Sequence, residues 1–154
     1  MNTADARIRR GRAGDLPDVL KLLQGAGLPS ADVAGNDRLR FWIFEAGDCL
    51  LGVVALERFG SDALLRSLAI APEQPNQGFG RELVARLERD GRTDGIKHLV
   101  LLTETAEAFF RGLGYGVIDR GAVSEEIRLS AQFRSLCPAS AVCMTKSIAA
   151  SSTG

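Results

Sequence analysis

The chain has 154 residues, 45% of them hydrophobic and 25% charged, and its 19 basic and 19 acidic side chains give no net charge. This length predicts one globular domain, and the balanced charge disfavours a nucleic acid as the main partner, since nucleic-acid-binding domains usually carry a basic excess. One histidine and three cysteines without a CxxC pair disfavour a histidine-based metal site and a disulfide framework.

Short strands dominate the N-terminal half. Ala6–Arg12 is predicted as a strand, and Asp15–Gln24 as a helix because its apolar residues repeat at helical spacing. Three strands joined by short turns follow, which predicts antiparallel pairing. These three strands are Leu39–Glu45, Cys49–Glu57 and Ala63–Ile70.

Helices and strands alternate in the second half. The predicted elements are a helix over Gly78–Asp90 ended by Gly91, a strand over Lys97–Leu102, a helix over Thr105–Leu113, a strand over Tyr115–Asp119, a mainly helical segment over Val123–Leu136 and a strand over Ser140–Lys146. The order of elements predicts an α/β fold, with a mixed, mostly antiparallel sheet of about six or seven strands and helices on both faces.

The ends of the chain carry no predicted targeting or membrane signal. The N-terminus lacks the apolar region of a signal peptide, and no apolar run approaches the roughly 18 residues that predict a membrane span. The sequence therefore predicts a cytoplasmic protein without a membrane partner. Residues 1–148 are predicted as a single domain, and Ala149–Gly154 as a disordered tail.

The loop between the fourth strand and the second helix is the segment most informative about function. Leu68-Ala69-Ile70-Ala71-Pro72 leads into it, and the helix begins with Gly78-Phe79-Gly80. A helix N-terminus has free N–H groups and a positive dipole end, and glycine lets an anion approach the backbone. The pattern suits a diphosphate, whereas the P-loop string is absent and the dinucleotide fingerprint fails at Leu83 and Val100. On GxG alone, glycines that only shape a loop remain an alternative.

A second string, Ala106-Glu107-Ala108-Phe109-Phe110-Arg111-Gly112-Leu113-Gly114-Tyr115, follows the next strand. The two motifs resemble the acyl-CoA loop and the A-x-x-F-Y-x-x-L-G-F/Y string of the GNAT N-acetyltransferases, over roughly residues 7–146. More narrowly, LLRSLAIAP, TAEAFFRGLGY and FRSLCPASAVCMTK resemble the ArsN-type arsenic-resistance N-acetyltransferases. The resemblance implies the GNAT fold, acetyl-CoA as cosubstrate without a metal, and a role in arsenic or antibiotic resistance.

The resemblance also implies where acetyl-CoA binds. The family's sheet opens between its fourth and fifth strands, and the pantetheine arm enters the gap. One backbone N–H of the fourth strand would polarise the thioester carbonyl, and the N–H groups of Gln77–Arg81 would hold the diphosphate. The cofactor-binding residues implied in this way are Leu68, Ala69, Ile70, Gln77, Gly78, Phe79, Gly80, Arg81, Thr105 and Phe110.

Three positions depart from the family pattern. Pro75 stands where Arg or Gln usually opens the loop, and Thr103 replaces a common Asn while keeping a hydroxyl for the pantetheine arm. Phe110 replaces the Tyr that often protonates the leaving thiolate, although a thiolate is a fair leaving group without strong acid help. The proton donors that stay open are water, Ser67, Thr105, Ser140 and Cys137, or no residue at all.

Two charged residues are candidates for the acceptor side. Glu57 is the candidate base that deprotonates the attacking amine, and its alternative is an exposed hairpin carboxylate. Arg66 lies in an apolar strand and must meet an anion, because a buried unpaired guanidinium is costly. That anion is either a protein carboxylate such as Glu57 or an acidic group of the substrate. Arg66, Ser67 and Thr103 are the predicted substrate-binding residues, and the acceptor is a small, acidic, amino-acid-like amine.

Two other functions stay open. Pro75 and Phe110 allow a non-catalytic acyl-CoA-binding or regulatory module of the same fold. Cys137 allows direct binding of a thiophilic arsenical, against inert packing of the cysteine. The resemblance leaves a homodimer open as well, because the final strand of this fold often lies near a subunit contact.

Overall fold

The structure is a computed structural model that describes residues 6–72, 78–136 and 140–149. Its strands are β1 (Ala6–Arg10), β2 (Leu39–Ala46), β3 (Cys49–Phe59), β4 (Asp62–Ile70), β5 (His98–Thr103), β6 (Gly116–Val117) and β7 (Val142–Ser147). The α-helices are α1 (Leu16–Gly25), α2 (Phe79–Thr93), α3 (Glu107–Gly112) and α4 (Glu125–Arg128). The other helical turns are the 3₁₀ turns Ala13–Asp15 and Arg120–Ala122 and the π-helical turn Gln132–Leu136.

The strands form one seven-stranded sheet in the order β1-β2-β3-β4-β5-β7-β6. Neighbouring strands pair antiparallel, except for β4 and β5, which are parallel. The short turns between β2, β3 and β4 dictate antiparallel pairing, because a chain that reverses within a few residues returns beside itself. The predicted mixed, mostly antiparallel sheet is therefore confirmed.

Helices cover both faces of this sheet, as predicted. Side chains alternate along a strand, so Val54 of β3 points to one face and Val53 to the other. The first face packs against α2 and α3, and the second against α1. Over β4 and β5 the second face is covered by α4, whose Ile127 lies in one buried cluster with Leu64.

Helix α2 is longer than predicted. The prediction that Gly91 ends it is wrong, because the helix continues to Thr93. Gly91 is buried, and a Cβ built on it would lie 3.4 Å from Leu56 Cδ1 of the sheet. Close packing of helix on sheet therefore outweighs the intrinsic helix propensity of glycine, which is about 1 kcal/mol poorer than that of alanine. The inward stripe that contains Leu83 and Leu87 is buried as predicted.

The C-terminal third is less regular than predicted. The strand predicted over Tyr115–Asp119 is only β6, since the Asp119 side chain accepts a hydrogen bond from the Gly121 N–H and begins a 3₁₀ turn. The mainly helical segment predicted over Val123–Leu136 consists of α4 and the π-helical turn. Of the predicted tail, Ala149 alone lies among the described residues.

A buried polar network joins α2 to the C-terminal strands. The Tyr115 hydroxyl donates to Glu88 Oε2 at 2.8 Å, and Lys146 Nζ donates to Glu88 Oε1 at 2.9 Å. Burial, with the neighbouring Glu88 carboxylate, raises the pKa of Tyr115 far above its usual value. The phenol of the chain's one tyrosine therefore stays protonated and engaged with Glu88.

Candidate functional site

The sheet opens between its two parallel strands. Backbone pairing of β4 with β5 stops after three residue pairs, the last of which joins Leu64 and Val100. β4 continues along β3 to Ile70, and β5 continues along β7 to Thr103. A wedge-shaped gap therefore separates the C-terminal halves of β4 and β5, and the facing edge of β4 is not paired with β5 there.

A β-bulge in β4 lies beside this gap. The pairing of β3 with β4 shifts by one residue, so that Ser67 and Leu68 stand opposite the single residue Val54. Ser67 has a φ of +60°, the only positive φ of a non-glycine residue in the described parts of the chain. This conformation costs about 1 kcal/mol or more. Bulges that persist at such a cost re-aim the backbone and are common beside active sites.

Backbone groups of β4 point into the gap. The Ala71 N–H donates to Leu51 O of β3 at 2.7 Å. Because backbone groups alternate between the two edges of a strand, those of Ala69 also point to β3. Those of Ile70 point the other way, toward β5, while Leu68 lies in the bulge, where the alternation is interrupted. Of the three predicted cofactor-binding residues in this strand, Ile70 therefore presents backbone groups to the gap.

Helix α2 begins beside the same strand. Its N-cap, Gly78, has a φ of +84°, and a Cβ there would meet nothing within 4 Å. Gly80 is buried in the first turn, where a Cβ would lie 3.4 Å from Phe109 Cζ and 4.0 Å from Leu68 Cδ2. The free N–H groups of this helix end therefore lie close to the strand that borders the gap, and Arg81 follows on the exposed side.

A charged cluster lies on the second face of the sheet, next to the bulge. Arg66 Nη1 and Nη2 donate to the two carboxylate oxygens of Asp32, each at 2.6 Å, and Nη1 also donates to Glu57 Oε1 at 3.0 Å. Arg66 Nε donates to Ser67 Oγ at 3.3 Å. The Arg66 side chain is only 2% exposed. The anion that a buried Arg66 requires is therefore supplied by protein carboxylates, the first of the two alternatives.

The cluster holds one positive charge between two carboxylates. Burial alone would lower the pKa of Arg66, but the hydrogen bonds and charges of Asp32 and Glu57 raise it above its usual value. The second oxygen of Glu57, Oε2, accepts a hydrogen bond from Asn36 Nδ2 at 3.2 Å. Glu57 is thus a buried carboxylate rather than an exposed one, at the wall of an open cavity of about 440 Å³ that also reaches Ser130.

Three further predicted site residues belong to the end of β5, to α3 and to the turn between them. Thr103 ends β5, and its Oγ1 accepts a hydrogen bond from a backbone N–H just before α3 at 3.0 Å. Thr105 is exposed. Phe110 is buried between Phe109 and Tyr115, with ring centroids 5.1 and 5.5 Å away. Its position therefore offers packing and no hydroxyl.

Some predictions concern other parts of the chain. Phe79 stacks on Phe44 of the core, with 4.3 Å between ring centroids. Gln77, Pro75 and Cys137 lie outside the described residues.

Two residues of the site were not predicted, Asp32 and Asn36. Both lie in the loop between α1 and β2 (residues 26–38, the α1–β2 loop), where no local pattern marks a partner of β4.

In residues 6–72, 78–136 and 140–149, no group of three or more His, Cys, Asp or Glu side chains is arranged to hold a metal ion. Within those ranges, no helix has both the length and the apolar character needed to cross a bilayer. The single histidine, His98, contacts Asp62 Oδ1 through Nδ1 at 3.0 Å on the protein surface.

The backbone strain at Ser67 leads to a prediction about the stability of the protein. Replacing Ser67 with valine is expected to lower the free energy of unfolding by about 1–3 kcal/mol, because a β-branched residue tolerates a φ of +60° poorly. Ser67→Gly removes the backbone strain and serves as the matched control in urea denaturation. A valine variant as stable as the wild type would contradict the strained bulge.

A family model of acetyltransferases, the GNAT family, matches residues 17–115, which include the bulge, the gap and helices α2 and α3. The chain belongs to the GNAT acetyltransferase family. The matched residues contain both motifs on which the sequence prediction was based. The predicted family is therefore confirmed.

The chain is similar to one curated acetyltransferase and to two solved structures of the same fold. It is 32% identical over 107 residues to an amino-acid acetyltransferase of Pseudomonas fluorescens (strain Pf0-1), covering 66% of this chain and 25% of the relative. The N-acetylglutamate synthase of Neisseria gonorrhoeae, complexed with coenzyme A and N-acetyl-glutamate, has a TM-score of 0.79 at 22% identity, covering 97% of this chain and 36% of that one. A PaiA N-acetyltransferase of Thermoplasma acidophilum in complex with coenzyme A has a TM-score of 0.68 at 18% identity, covering 92% and 98%.

These similarities differ in what they establish. The chain spans about a quarter of the length of the curated relative and about a third of the gonococcal synthase. The solved structures share the fold, which confirms the predicted architecture. The coenzyme A in two of them agrees with acetyl-CoA as the predicted cosubstrate. The narrower ArsN-type resemblance is not confirmed by them.

Proposed function

We propose that this GNAT protein transfers acetyl from acetyl-CoA to the amine of a small amino-acid-like acceptor, by direct attack in a ternary complex. The observation that carries the proposal is that three features meet at one place, namely the gap between β4 and β5, the bulge at Ser67 and the N-terminus of α2. An extended pantetheine arm in the gap pairs with the edge of β4 like an added strand. The diphosphate lies at the helix N-terminus.

The backbone supplies most of the proposed cofactor contacts. Leu68 and Ile70 bind the pantetheine arm and the thioester, and one N–H stabilises the oxyanion that forms on the carbonyl. The N–H groups of Gln77–Arg81 bind the diphosphate, where Gly78 and Gly80 leave room for it. Thr105 adds a hydroxyl, while Ala69 and Phe110 support the site by packing.

Glu57 is the proposed base. It takes a proton from the acceptor ammonium, and the neutral amine then attacks the thioester carbonyl carbon. The tetrahedral intermediate loses the second proton of the amine nitrogen to solvent and collapses, the C–S bond breaks, and coenzyme A leaves as a thiolate. Tyr115 is engaged with Glu88, so the thiolate takes its proton from solvent, which its moderate basicity permits.

The proposed acceptor is amino-acid-like and carries an acidic group. Its support is the activity of the curated relative and the N-acetyl-glutamate in the gonococcal structure. Arg66 is its candidate anchor, but both Nη atoms already hold Asp32, so an acceptor carboxylate has to displace that side chain. Ser67 and Thr103 are proposed to contribute hydroxyls to the acceptor side.

The biological setting belongs to the same proposal. The ArsN-like strings support a role in arsenic or antibiotic resistance. A cytoplasmic location and residues 1–148 as one domain are part of the proposal, and a homodimer stays open as the assembly. Acetylation of arsenical or phosphinic amino acids, compared with ordinary amino acids, tests the resistance role. Turnover confined to ordinary amino acids contradicts it.

A second candidate is a GNAT-fold module that binds acyl-CoA without catalysis. The observation that favours it is the buried phenyl ring of Phe110 at the position of the family's proton-donating tyrosine. Release of free coenzyme A, measured with a thiol reagent over a panel of amines, separates the candidates. Acetyl-CoA binding without turnover of any amine favours the module.

Gly78 provides a test of cofactor binding. Acetyl-CoA at about one hundred times its Kd is expected to raise the free energy of unfolding by about 2.7 kcal/mol. Gly78→Asp is expected to lose most of this stabilisation, since it places a carboxylate where the diphosphate binds. Gly60→Asp is the matched control, because Gly60 also has a positive φ and open space around its Cβ. Equal stabilisation of both variants in thermal unfolding contradicts a diphosphate at α2.

A further inference from the structure

We propose that Asp32 is a positioning residue of this site, which acts through Arg66 and keeps Glu57 able to accept a proton. The inference rests on the proposed function, because it assigns Glu57 as the base. Asp32 lies in the α1–β2 loop, 34 residues before Arg66 in the chain. It belongs to neither of the motifs that identify the family.

The geometry shows how the guanidinium is shared. Asp32 takes both Nη atoms in a bidentate pair at 2.6 Å, whereas Glu57 shares only Nη1, at 3.0 Å. Planar bidentate pairing is the strongest arrangement that a guanidinium offers a carboxylate. Asp32 therefore satisfies most of the charge of Arg66. Glu57 accepts a single hydrogen bond from Arg66, at 3.0 Å, and has no bidentate pair of its own.

The second oxygen of Glu57 is the proposed proton acceptor. Oε2 accepts only the neutral amide of Asn36 among the hydrogen bonds of the described residues, and Glu57 borders the open cavity of about 440 Å³. Asn36 comes from the same loop as Asp32. The α1–β2 loop thus acts on Glu57 in two ways. Asn36 contacts Glu57 directly, and Asp32 holds Arg66, which contacts Glu57 from the other side.

Loss of the Asp32 charge is expected to redirect Arg66. Without a bidentate partner, the buried guanidinium must pair with Glu57, since an unsatisfied buried charge is costly. Glu57 then becomes the neutralising carboxylate and a poorer proton acceptor. The other charged groups at this cavity, Arg38 of the loop and Glu126 of α4, are unchanged by the substitution.

The test compares Asp32→Asn with Asp37→Asn, an equal charge change at an exposed position of the same loop. Asp32→Asn is expected to lower kcat by about tenfold to a hundredfold, to leave the KM for acetyl-CoA unchanged and to move the acidic limb of the pH–rate profile. Asp32→Glu, which restores the charge, is expected to recover part of kcat. A kcat and pH profile of Asp32→Asn equal to those of Asp37→Asn overturn the role of Asp32 and leave the acetyltransferase proposal intact.

A readout without turnover separates the two proposals. Amide hydrogen exchange over the α1–β2 loop is expected to be faster in Asp32→Asn than in Asp37→Asn, because the loop loses its ion pair to β4. If the wild type acetylates no amine, the proposed function fails, and exchange alone then decides whether Asp32 anchors the loop to Arg66. Equal exchange in both variants overturns the anchoring.

Discussion

Glu57→Gln is expected to lower kcat/KM by about a hundredfold to ten-thousandfold, the usual contribution of a positioned general base. Glutamine keeps the shape of the side chain and, through its oxygen, the hydrogen bond from Arg66, but it does not take a proton from the acceptor ammonium. The fold is expected to survive, because Arg66 keeps the bidentate partner Asp32. Initial rates at saturating acetyl-CoA, measured from pH 6 to 9, test the effect.

The control for this variant lies on α4. Glu125→Gln makes the same chemical change at an exposed carboxylate of the helix that covers the second face of the sheet, and Glu125 has no place in the proposed chemistry. Its kcat/KM should match the wild type. Wild-type rates in Glu57→Gln, together with an unchanged pH profile, would show that water or another group deprotonates the acceptor.

Arg66→Met is expected to lower the free energy of unfolding by about 3–5 kcal/mol, the usual cost of breaking a buried ion pair. The substitution leaves the carboxylates of Asp32 and Glu57 close together without their shared cation. Since proteins of this size are stable by only about 5–15 kcal/mol, the variant loses a large part of its stability. Urea denaturation at pH 7.5 measures the loss.

Two comparisons test the origin of this loss. Arg7, whose side chain is 68% exposed, forms a surface ion pair with Glu45. Arg7→Met should therefore lower the free energy of unfolding by less than about 1 kcal/mol. Adding Asp32→Asn to Arg66→Met should restore part of the stability, because one of the two unpaired carboxylates is removed. Lower pH should also restore part of it, since a protonated carboxyl no longer repels its neighbour. A double variant no more stable than Arg66→Met would contradict charge repulsion as the cause.

The regular strands could be predicted because their signal is local. An apolar run between short turns predicted the strand Cys49–Glu57, and the observed strand is longer by only two residues, ending at Phe59. The continuation of α2 past Gly91 could not be predicted, because it depends on the packing of Gly91 against Leu56 of the sheet. The end of α4 could not be predicted either, because the apolar periodicity of Val123–Leu136 continues although the helix ends at Arg128.

The candidate site divides in the same way. Leu68, Ile70 and Gly78 belong to a continuous motif, so the sequence predicted their neighbourhood. The bulge at Ser67 depends on register with β3, which residue types do not encode one by one. Asp32 meets Arg66 only because the α1–β2 loop folds back onto β4. The apolar strand around Arg66 predicted an anion as its partner, but nothing in the sequence identified a loop aspartate as that partner.

The gap between β4 and β5 has an evolutionary consequence. A ligand held by backbone amides and carbonyls depends on the path of the strands and hardly on the side chains they carry. Mutations along Leu68–Ile70 that preserve this path are expected to be selectively neutral for cofactor affinity. Purifying selection should act on the positions where the backbone itself restricts the residue type. Among the described residues beside the gap, Ser67 and Gly78 are such positions, both at positive φ.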